Sequence, residues 1–226
     1  MSVSDAWEAH AQDWIAWART SQHDGFWSGT WPALHELLPA PGGVAVDLGC
    51  GEGRAGRELI ALGHDVVGVE RSPTLVEAAR AAEPAFPVAL GDAAALPMRA
   101  GSVSLVVASC SLQDVDDLES SLHEVARVLR PDGALCAAIV HPFSSASDEE
   151  AAVAGRFEVN QPYLEARRYE MAIDRGGLTM RFVSMHWPLS TYVNLLARED
   201  LVITALREAG DDEVPWLLAF RAETRG

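Results

Sequence analysis

Between residues 44 and 140 short apolar runs alternate with amphipathic stretches, the pattern of strands buried on both faces and joined by helices. The runs predict strands over Val44–Leu48, His64–Glu70, Phe86–Leu90, Ser104–Ser109 and Ala134–Val140. Helices are predicted over Arg54–Leu62, from the Ser72-Pro73 cap to about Ala82, and over Leu118–Leu129 with Leu118, Leu122, Val125 and Leu129 turned inward. Strand and helix in strict alternation imply an α/β fold with a doubly wound, mostly parallel sheet. Two further strands, Leu201–Leu206 and Trp216–Arg221, bring the sheet to seven, with Gly210–Pro215 as the hairpin loop between them.

The alternation fails in two places. Upstream, residues 5–20 read as one amphipathic helix with an aromatic stripe of Trp7, Trp14 and Trp17 beside His10. Ser21–Trp31 follows as a loop and Pro32–Leu38 as a short helix. Downstream, His141–Trp187 holds an acidic, alanine-rich piece (Asp148–Ala154) and then two strands, Tyr163–Ile173 and Leu178–His186, joined at a glycine turn. A helix over Pro188–Arg198 resumes the pattern. The chain thus reads as a single domain over 1–226, with residues 1–40 as an N-terminal helical lid and 143–187 as a cap inserted after strand five. Five of the seven tryptophans precede residue 32. Their stripe either packs the helix onto the body or folds over a cleft, and both can hold at once.

Composition narrows the function. The chain has 226 residues, an apolar fraction of 49% and a net charge of −16. Its basic residues are all arginine, 17 of them. So acidic a surface opposes the phosphate neutralisation that nucleic-acid binding needs, and points to a small-molecule substrate. No apolar run approaches a membrane span and the N-terminus has no basic-then-apolar leader, so the expected location is the cytoplasm, without membrane contact. Cys50, Cys110 and Cys136 are far apart, with no metal-ligand spacing; they read as reduced thiols, and no metal is expected.

The candidate chemistry centres on Asp47-x-Gly49-x-Gly51-x-Gly53, which follows the first strand and opens the next helix. Such glycines allow a sharp turn and the close approach of a ligand to the backbone. Gly51 to Gly56 also spells the GxGxxG of dinucleotide-binding folds. Asp47, however, places a carboxylate at the carboxyl end of the strand, which repels a phosphate and suits an ammonium or hydroxyl group. Glu70 ends the second strand about 20 residues on, where either cofactor class places an acid on ribose hydroxyls. Gly91-Asp92-Ala93 with Leu96-Pro97 follows the third strand, and Arg130-Pro131-Asp132-Gly133 enters the fifth. These four segments, in this order, resemble class I S-adenosylmethionine-dependent methyltransferases, in particular the small-molecule enzymes of the methyltransferase type 11 kind.

The resemblance implies a Rossmann-like fold whose last strand is antiparallel, with S-adenosylmethionine as cofactor and S-adenosylhomocysteine as product. By it, Gly49, Cys50, Gly51 and Gly53 approach the methionine part and Asp47 faces its ammonium. Glu70, with Arg71 beside it, serves the ribose, and Asp92 with Ala93 the adenine. Ser109 borders the methyl-donor end, and Arg19 falls near the cofactor's carboxylate if the N-terminal segment folds over the cleft. Glu70 departs from the commoner aspartate.

For the methyl acceptor, His141 and His186 are candidate bases at carboxyl-edge positions, each equally readable as bonded into the cap or its hinge. Trp14, His23, Gln113, Tyr163 and Arg181 are the candidate substrate contacts; Arg181 would suit a substrate carboxylate or face solvent. Tyr163, Tyr169, Met180, Phe182, Met185 and Trp187 either line an apolar pocket for a planar substrate or form the cap's own core. The loop Ser109–Asp114 lacks the Asn-Pro-Pro-aromatic motif of exocyclic and amide nitrogen methylation, and it lacks a Pro-Cys pair. The reading is methyl transfer to an O or N atom of a small molecule, in specialised metabolism or detoxification, by a monomer or homodimer. Its alternatives are a cofactor-binding regulator or partner subunit that does not turn over, and a NAD-linked oxidoreductase. Asp47, Asp92 and the absence of a Tyr-x-x-x-Lys pair argue against the last.

Overall fold

The computed structural model describes residues 1–20, 23–147, 158–211 and 214–225. A seven-stranded sheet runs in the order β3-β2-β1-β4-β5-β9-β8. Its strands are β1 (Val44–Leu48), β2 (Asp65–Glu70), β3 (Val88–Leu90), β4 (Val103–Ser109), β5 (Leu129–Val140), β8 (Leu201–Asp211) and β9 (Val214–Thr224). The pairs β1–β2, β1–β4, β2–β3 and β4–β5 are parallel, whereas β9 runs antiparallel to both β5 and β8. This is the Rossmann-like arrangement expected from the sequence. Its order reverses at β1, between β2 and β4, so the ends of β1 and β4 diverge there and open a crevice.

Helices α4 (Arg54–Ala61) and α5 (Pro73–Ala81) pack on one face of the sheet with α3 (Trp31–His35). On the other face lie α6 (Leu118–Val128) and α8 (Leu189–Arg198). In α6, Leu118, Leu122 and Val125 are buried at three- and four-residue steps, and Asp117 caps the helix by accepting the Ser120 N–H at 3.0 Å. Ser72 caps α5 in the same way, accepting from Leu75 N–H, with Pro73 in the first turn.

Several boundaries differ from the sequence expectation. The N-terminal helix is two helices, α1 (Val3–Ala9) and α2 (Ala11–Arg19), because His10 leaves helical geometry at φ −106°, ψ 12°. Within the expected loop, Phe26–Thr30 forms one wide helical turn. Gly25 and Gly29 let it lie against the Trp216 ring; a Cβ on either would sit 2.6 or 2.5 Å from that ring. Strand β5 begins at Leu129, before the Arg130–Gly133 segment, because Leu129 pairs with Val103 across a bulge. Finally β8 and β9 extend past their apolar centres to Asp211 and Val214, their backbone ladder continuing through residues that the hydrophobic pattern excludes.

After β5 come the single turn α7 (Pro142–Ser145) and a separate hairpin of β6 (Arg167–Arg175) and β7 (Leu178–His186), joined at Gly176 and Gly177. The acidic piece Asp148–Ala154 lies outside the described residues. Helices α1 and α2 sit against β7 through Trp7, Trp14 and Trp17, whose rings meet Phe182 edge-on at centroid distances of 6.4, 6.1 and 6.0 Å. Of this stripe Trp17 is buried, while Trp7 and Trp14 also line the central cleft.

The contact between Gly29 and Trp216 yields a test of this packing. Gly29→Ala is expected to destabilise the fold by about 1–3 kcal/mol through overpacking. Trp216→Leu in the same chain is expected to recover part of that loss, a coupling read by urea denaturation of the two single variants and the double.

Candidate active site

A cleft of about 480 Å³ opens at the carboxyl ends of β1, β2, β3 and β4. The glycine turn forms its floor. Gly49, Gly51 and Gly53 have φ of +63°, +57° and +90°, a region L-residues rarely adopt. At Gly49 the space is closed as well, because a Cβ there would lie 2.6 Å from the Ser111 Cβ.

Three acids from adjacent strands reach this cleft. Asp47, on β1, is 1% exposed, and its Oδ2 has no hydrogen-bond partner. Burial pushes its carboxyl up to about 7, opposed by the Gly56 amide and reinforced by the nearby Glu70. Glu70, at the end of β2, accepts the Gly51 N–H on Oε2 at 2.9 Å and the Ser72 N–H on Oε1 at 2.8 Å. Burial raises its carboxyl too, against those amide bonds. Each oxygen keeps a lone pair for a further donor. Asp92, just past β3, accepts the Ala94 N–H at 2.9 Å and pairs through Oδ2 with Arg71 at 3.0 Å. Arg71 also meets Asp116 at 3.3 Å, and Asp116 in turn accepts the Val3 N–H at 2.7 Å. Helix α1 is tied a second time where Glu8 accepts from Ser72 and Thr74 at the start of α5.

The structure thus brings Asp47, Gly49, Cys50, Gly51, Glu70, Arg71, Asp92, Ala93, Ser109, Trp14 and Gln113 to one cleft. Gly53 supports the turn as the left-handed cap of α4 but does not line the cleft. Arg19 stands apart: its guanidinium bonds Glu52 at 3.1 Å and the Ala78 carbonyl at 3.1 Å. Glu52 is buried and also held by Arg57, so it takes the charge that the sequence reading directed at the cofactor.

The two histidines lie elsewhere. His141 Nδ1 accepts the Phe143 N–H, which leaves Nε2–H to donate to Glu208 at 3.1 Å. His186 is fully buried; its Nε2 donates to the Tyr163 carbonyl at 2.8 Å and its Nδ1 accepts from Ser145 Oγ at 2.7 Å. Burial lowers the His186 imidazole. Neither ring presents a free nitrogen to the cleft; both hold the cap's hinge. Tyr163 and His23 also lie outside the lining, His23 Nε2 being 3.0 Å from the Arg175 carbonyl oxygen. Arg181 is exposed, 3.6 Å from Glu170 on the far face of the hairpin.

Several lining residues were not singled out from the sequence. Arg54, the first residue of α4, lies over the Phe26 and Trp14 rings at 4.1 and 5.0 Å and pairs with Asp24 at 2.6 Å. Its Nη1 is buried without a partner. Trp216 arrives from β9, and Asp114 and Ser184 complete the wall. Of the hairpin residues weighed from the sequence as pocket or core, Tyr169 and Phe182 turn toward the cleft, joined by Met171 and Ser184, with Tyr169 opposite Ser184 and Met171 opposite Phe182. Cys110 borders the cleft at φ +56°, and burial pushes its thiol up to about 12, so it stays protonated. Among the described residues no cluster of metal-ligating side chains occurs, and no helix is long and apolar enough to cross a membrane.

Residues 46–137 match the family model of a methyltransferase domain. The match covers 92 of the chain's 226 residues. A methyltransferase of Mycobacterium tuberculosis, itself uncharacterised, is 39% identical over 103 residues, which are 46% of this chain and 42% of the relative. Nocamycin O-methyltransferase of Saccharothrix syringae is 38% identical over 114 residues, 45% of this chain and 41% of that enzyme. The chain therefore spans about two fifths of the length of the curated relatives it matches. An S-adenosylmethionine-dependent methyltransferase from Mesorhizobium loti superposes with a TM-score of 0.66 at 26% identity, covering 85% of this chain and 96% of that one. That neighbour depends on S-adenosylmethionine, and its likeness to this chain is one of fold.

Asp47 provides a pH test of the site. A carboxyl raised by the fold keeps its proton between its unfolded value near 4 and its folded value near 7, so stability falls as pH rises through that window. Between pH 4 and 7 the native protein is expected to lose on the order of 2–4 kcal/mol relative to Asp47→Asn, measured by denaturant midpoints across pH.

Proposed function

We propose that this chain transfers the methyl group of S-adenosylmethionine to an oxygen or nitrogen of a small molecule. The observation that carries the reading is the placing of Asp47, Glu70 and Asp92, one acid from each of three adjacent strands, along one cleft. A dinucleotide's phosphates would meet this row of carboxylates, whereas an ammonium, a ribose and an adenine amine each supply hydrogens to it.

The residues fit the cofactor. The unpartnered Asp47 Oδ2 is an acceptor for its ammonium, Glu70 keeps lone pairs for ribose hydroxyls, and Asp92 with Ala93 stands where the resemblance puts adenine. Arg54, with a buried and unpartnered Nη1 beside the glycine turn, replaces Arg19 as the cation for its carboxylate. Bound S-adenosylmethionine supplies a methyl carbon already activated by a sulfonium, so the protein need only align the acceptor, exclude water and take a proton. Trp14, Phe26, Phe182 and Trp216 provide apolar walls for the acceptor's body.

In this reading residues 1–40 act as a lid and 143–187 as a cap, since Ser4, Trp7 and Trp14 on one side and Tyr169, Met171 and Phe182 on the other border the cleft. Neither histidine acts as the base, because both rings are engaged in the hinge. The acidic charge of the chain supports a small substrate over a nucleic acid, and a cytoplasmic site of action belongs to the same reading.

Calorimetric titration with S-adenosylmethionine, S-adenosylhomocysteine and NAD tests the assignment. Both adenosyl ligands are expected to bind in the micromolar range, and Asp92→Ala and Glu70→Gln each to weaken them about tenfold or more. Binding of NAD alone would contradict the reading. Binding of the adenosyl ligands without transfer of labelled methyl to any compound in a broad acceptor screen would favour a regulator.

A further inference from the structure

Asp114 is the polar group at the acceptor end of the cleft that the cofactor reading leaves unused. It lies in the loop after β4, five residues past Ser109, and lines the cleft beside Gln113. Ser184 Oγ donates to its Oδ1 at 2.6 Å, and the Trp7 and Tyr169 side chains adjoin the same network. Among the described residues it forms no ion pair; Asp47 and Glu70, which the cofactor reading uses, form none either, whereas the remaining cleft acids Asp24, Glu52, Asp92 and Asp116 all do. Without a cation a desolvated carboxyl keeps its proton, and a cation entering the cleft would favour its ionised form.

Gln113 provides an independent observation. Its Nε2 donates to the Cys110 carbonyl at 2.6 Å, which fixes the amide, and its Oε1 is buried with no partner. A buried acceptor left bare in a cleft calls for a ligand that brings a donor. The two neighbouring side chains thus bring two unspent acceptors together, the Gln113 Oε1 and the Asp114 carboxyl, and the apolar body of the cleft lies alongside them. Among the described residues two cations line the cleft: Arg71 pairs with Asp92 and Asp116, and Arg54 pairs with Asp24 and keeps its Nη1 for the cofactor's carboxylate, so neither serves Asp114.

Resting on the proposed methyl transfer, we infer that the acceptor is an amine carried on an aromatic or apolar body, whose nitrogen is held and deprotonated by Asp114 with Gln113 Oε1 as second acceptor. The amine arrives as R–NH3⁺ and pairs with the Asp114 carboxylate. One N–H bond breaks, its proton passing to the carboxylate, which leaves R–NH2 with a free electron pair. That pair forms the N–CH3 bond as the S–CH3 bond breaks and its electrons return to sulfur. The products are R–NH2CH3⁺ and neutral S-adenosylhomocysteine, and Asp114 is left protonated until the next ammonium pairs with it, when that proton passes to water. The titratable groups around Asp114 suit this exchange. Glu70 from β2, Tyr169 from β6, Tyr192 from α8 and Cys110 at the end of β4 are acids or neutral hydrogen carriers, and burial holds the Asp114 carboxyl well above the usual range.

The test uses three probes of one skeleton, 2-phenylethylamine, 2-phenylethanol and 3-phenylpropanoate, titrated into the full chain saturated with S-adenosylhomocysteine. The amine is expected to bind about tenfold tighter than the alcohol, with the carboxylate weakest. Asp114→Asn, which keeps an acceptor for Ser184, is expected to abolish the preference of amine over alcohol, whereas Asp114→Glu retains part of it. Equal binding of amine and alcohol, no binding of the amine, preference for the carboxylate, or an amine preference that survives Asp114→Asn would overturn the inference. Saturation by S-adenosylhomocysteine is checked first in each protein. Its failure in the native chain would count against the methyltransferase reading itself, so the two failures are distinguishable.

Discussion

The Glu70 carboxylate is the interaction on which the site depends. It accepts one N–H from the glycine turn at Gly51 and one from the start of α5 at Ser72, joining two segments that sequence separates by about 20 residues. A left-handed glycine turn is entropically costly to hold, and a partly buried carboxylate with two amide donors fixes it. Because Glu70 ends β2 and Gly51 follows β1, the parallel pairing of Leu48 with Val69 sets this contact. Asp47 and Asp92 then fall on either side, and the cleft takes its acidic character from the register of three strands.

Around that floor the walls are built from both ends of the chain. Helices α1 and α2 cross the cleft, held by Asp116 and Glu8 on one side and by the Phe182 ring on the other. Trp216 from the last strand meets Gly25 and Gly29 from the first forty residues. The β6–β7 hairpin contributes one face of each strand. An aromatic enclosure over an acid-lined floor excludes water from the place where a methyl group would move, and it strengthens each charge interaction inside.

Much of the fold was legible from residue pattern. Period-two and unbroken apolar runs marked the strands, and cap residues such as Ser72 and Asp117 marked the helix starts, because these are local signals. The cleft acids were legible for the same reason: each follows directly from a strand end. Side-chain direction in the insertion was not. Arg181 neighbours Phe182, yet successive residues of a strand face opposite sides, and Phe182 is the one turned to the cleft. His141 and His186 stand at the ends of strands, but the partners that occupy their rings, Glu208, Phe143, Ser145 and Tyr163, come from segments that pattern alone does not bring together. Arg54 and Asp114 were hidden in plain motifs. Arg54 immediately follows Gly53, and its position as the first residue of α4 was the available sign that it would face the turn.

A crystal structure of the chain with S-adenosylhomocysteine tests the central claim most directly. The account predicts the ribose hydroxyls on the Glu70 carboxylate, the adenine beside Asp92 and Ala93, and the amino-acid end near Asp47 and Arg54, with the Gly51–Glu70 bond retained. Adenosyl density elsewhere on the molecule, or a cofactor bound with Glu70 and Asp92 untouched, would contradict it.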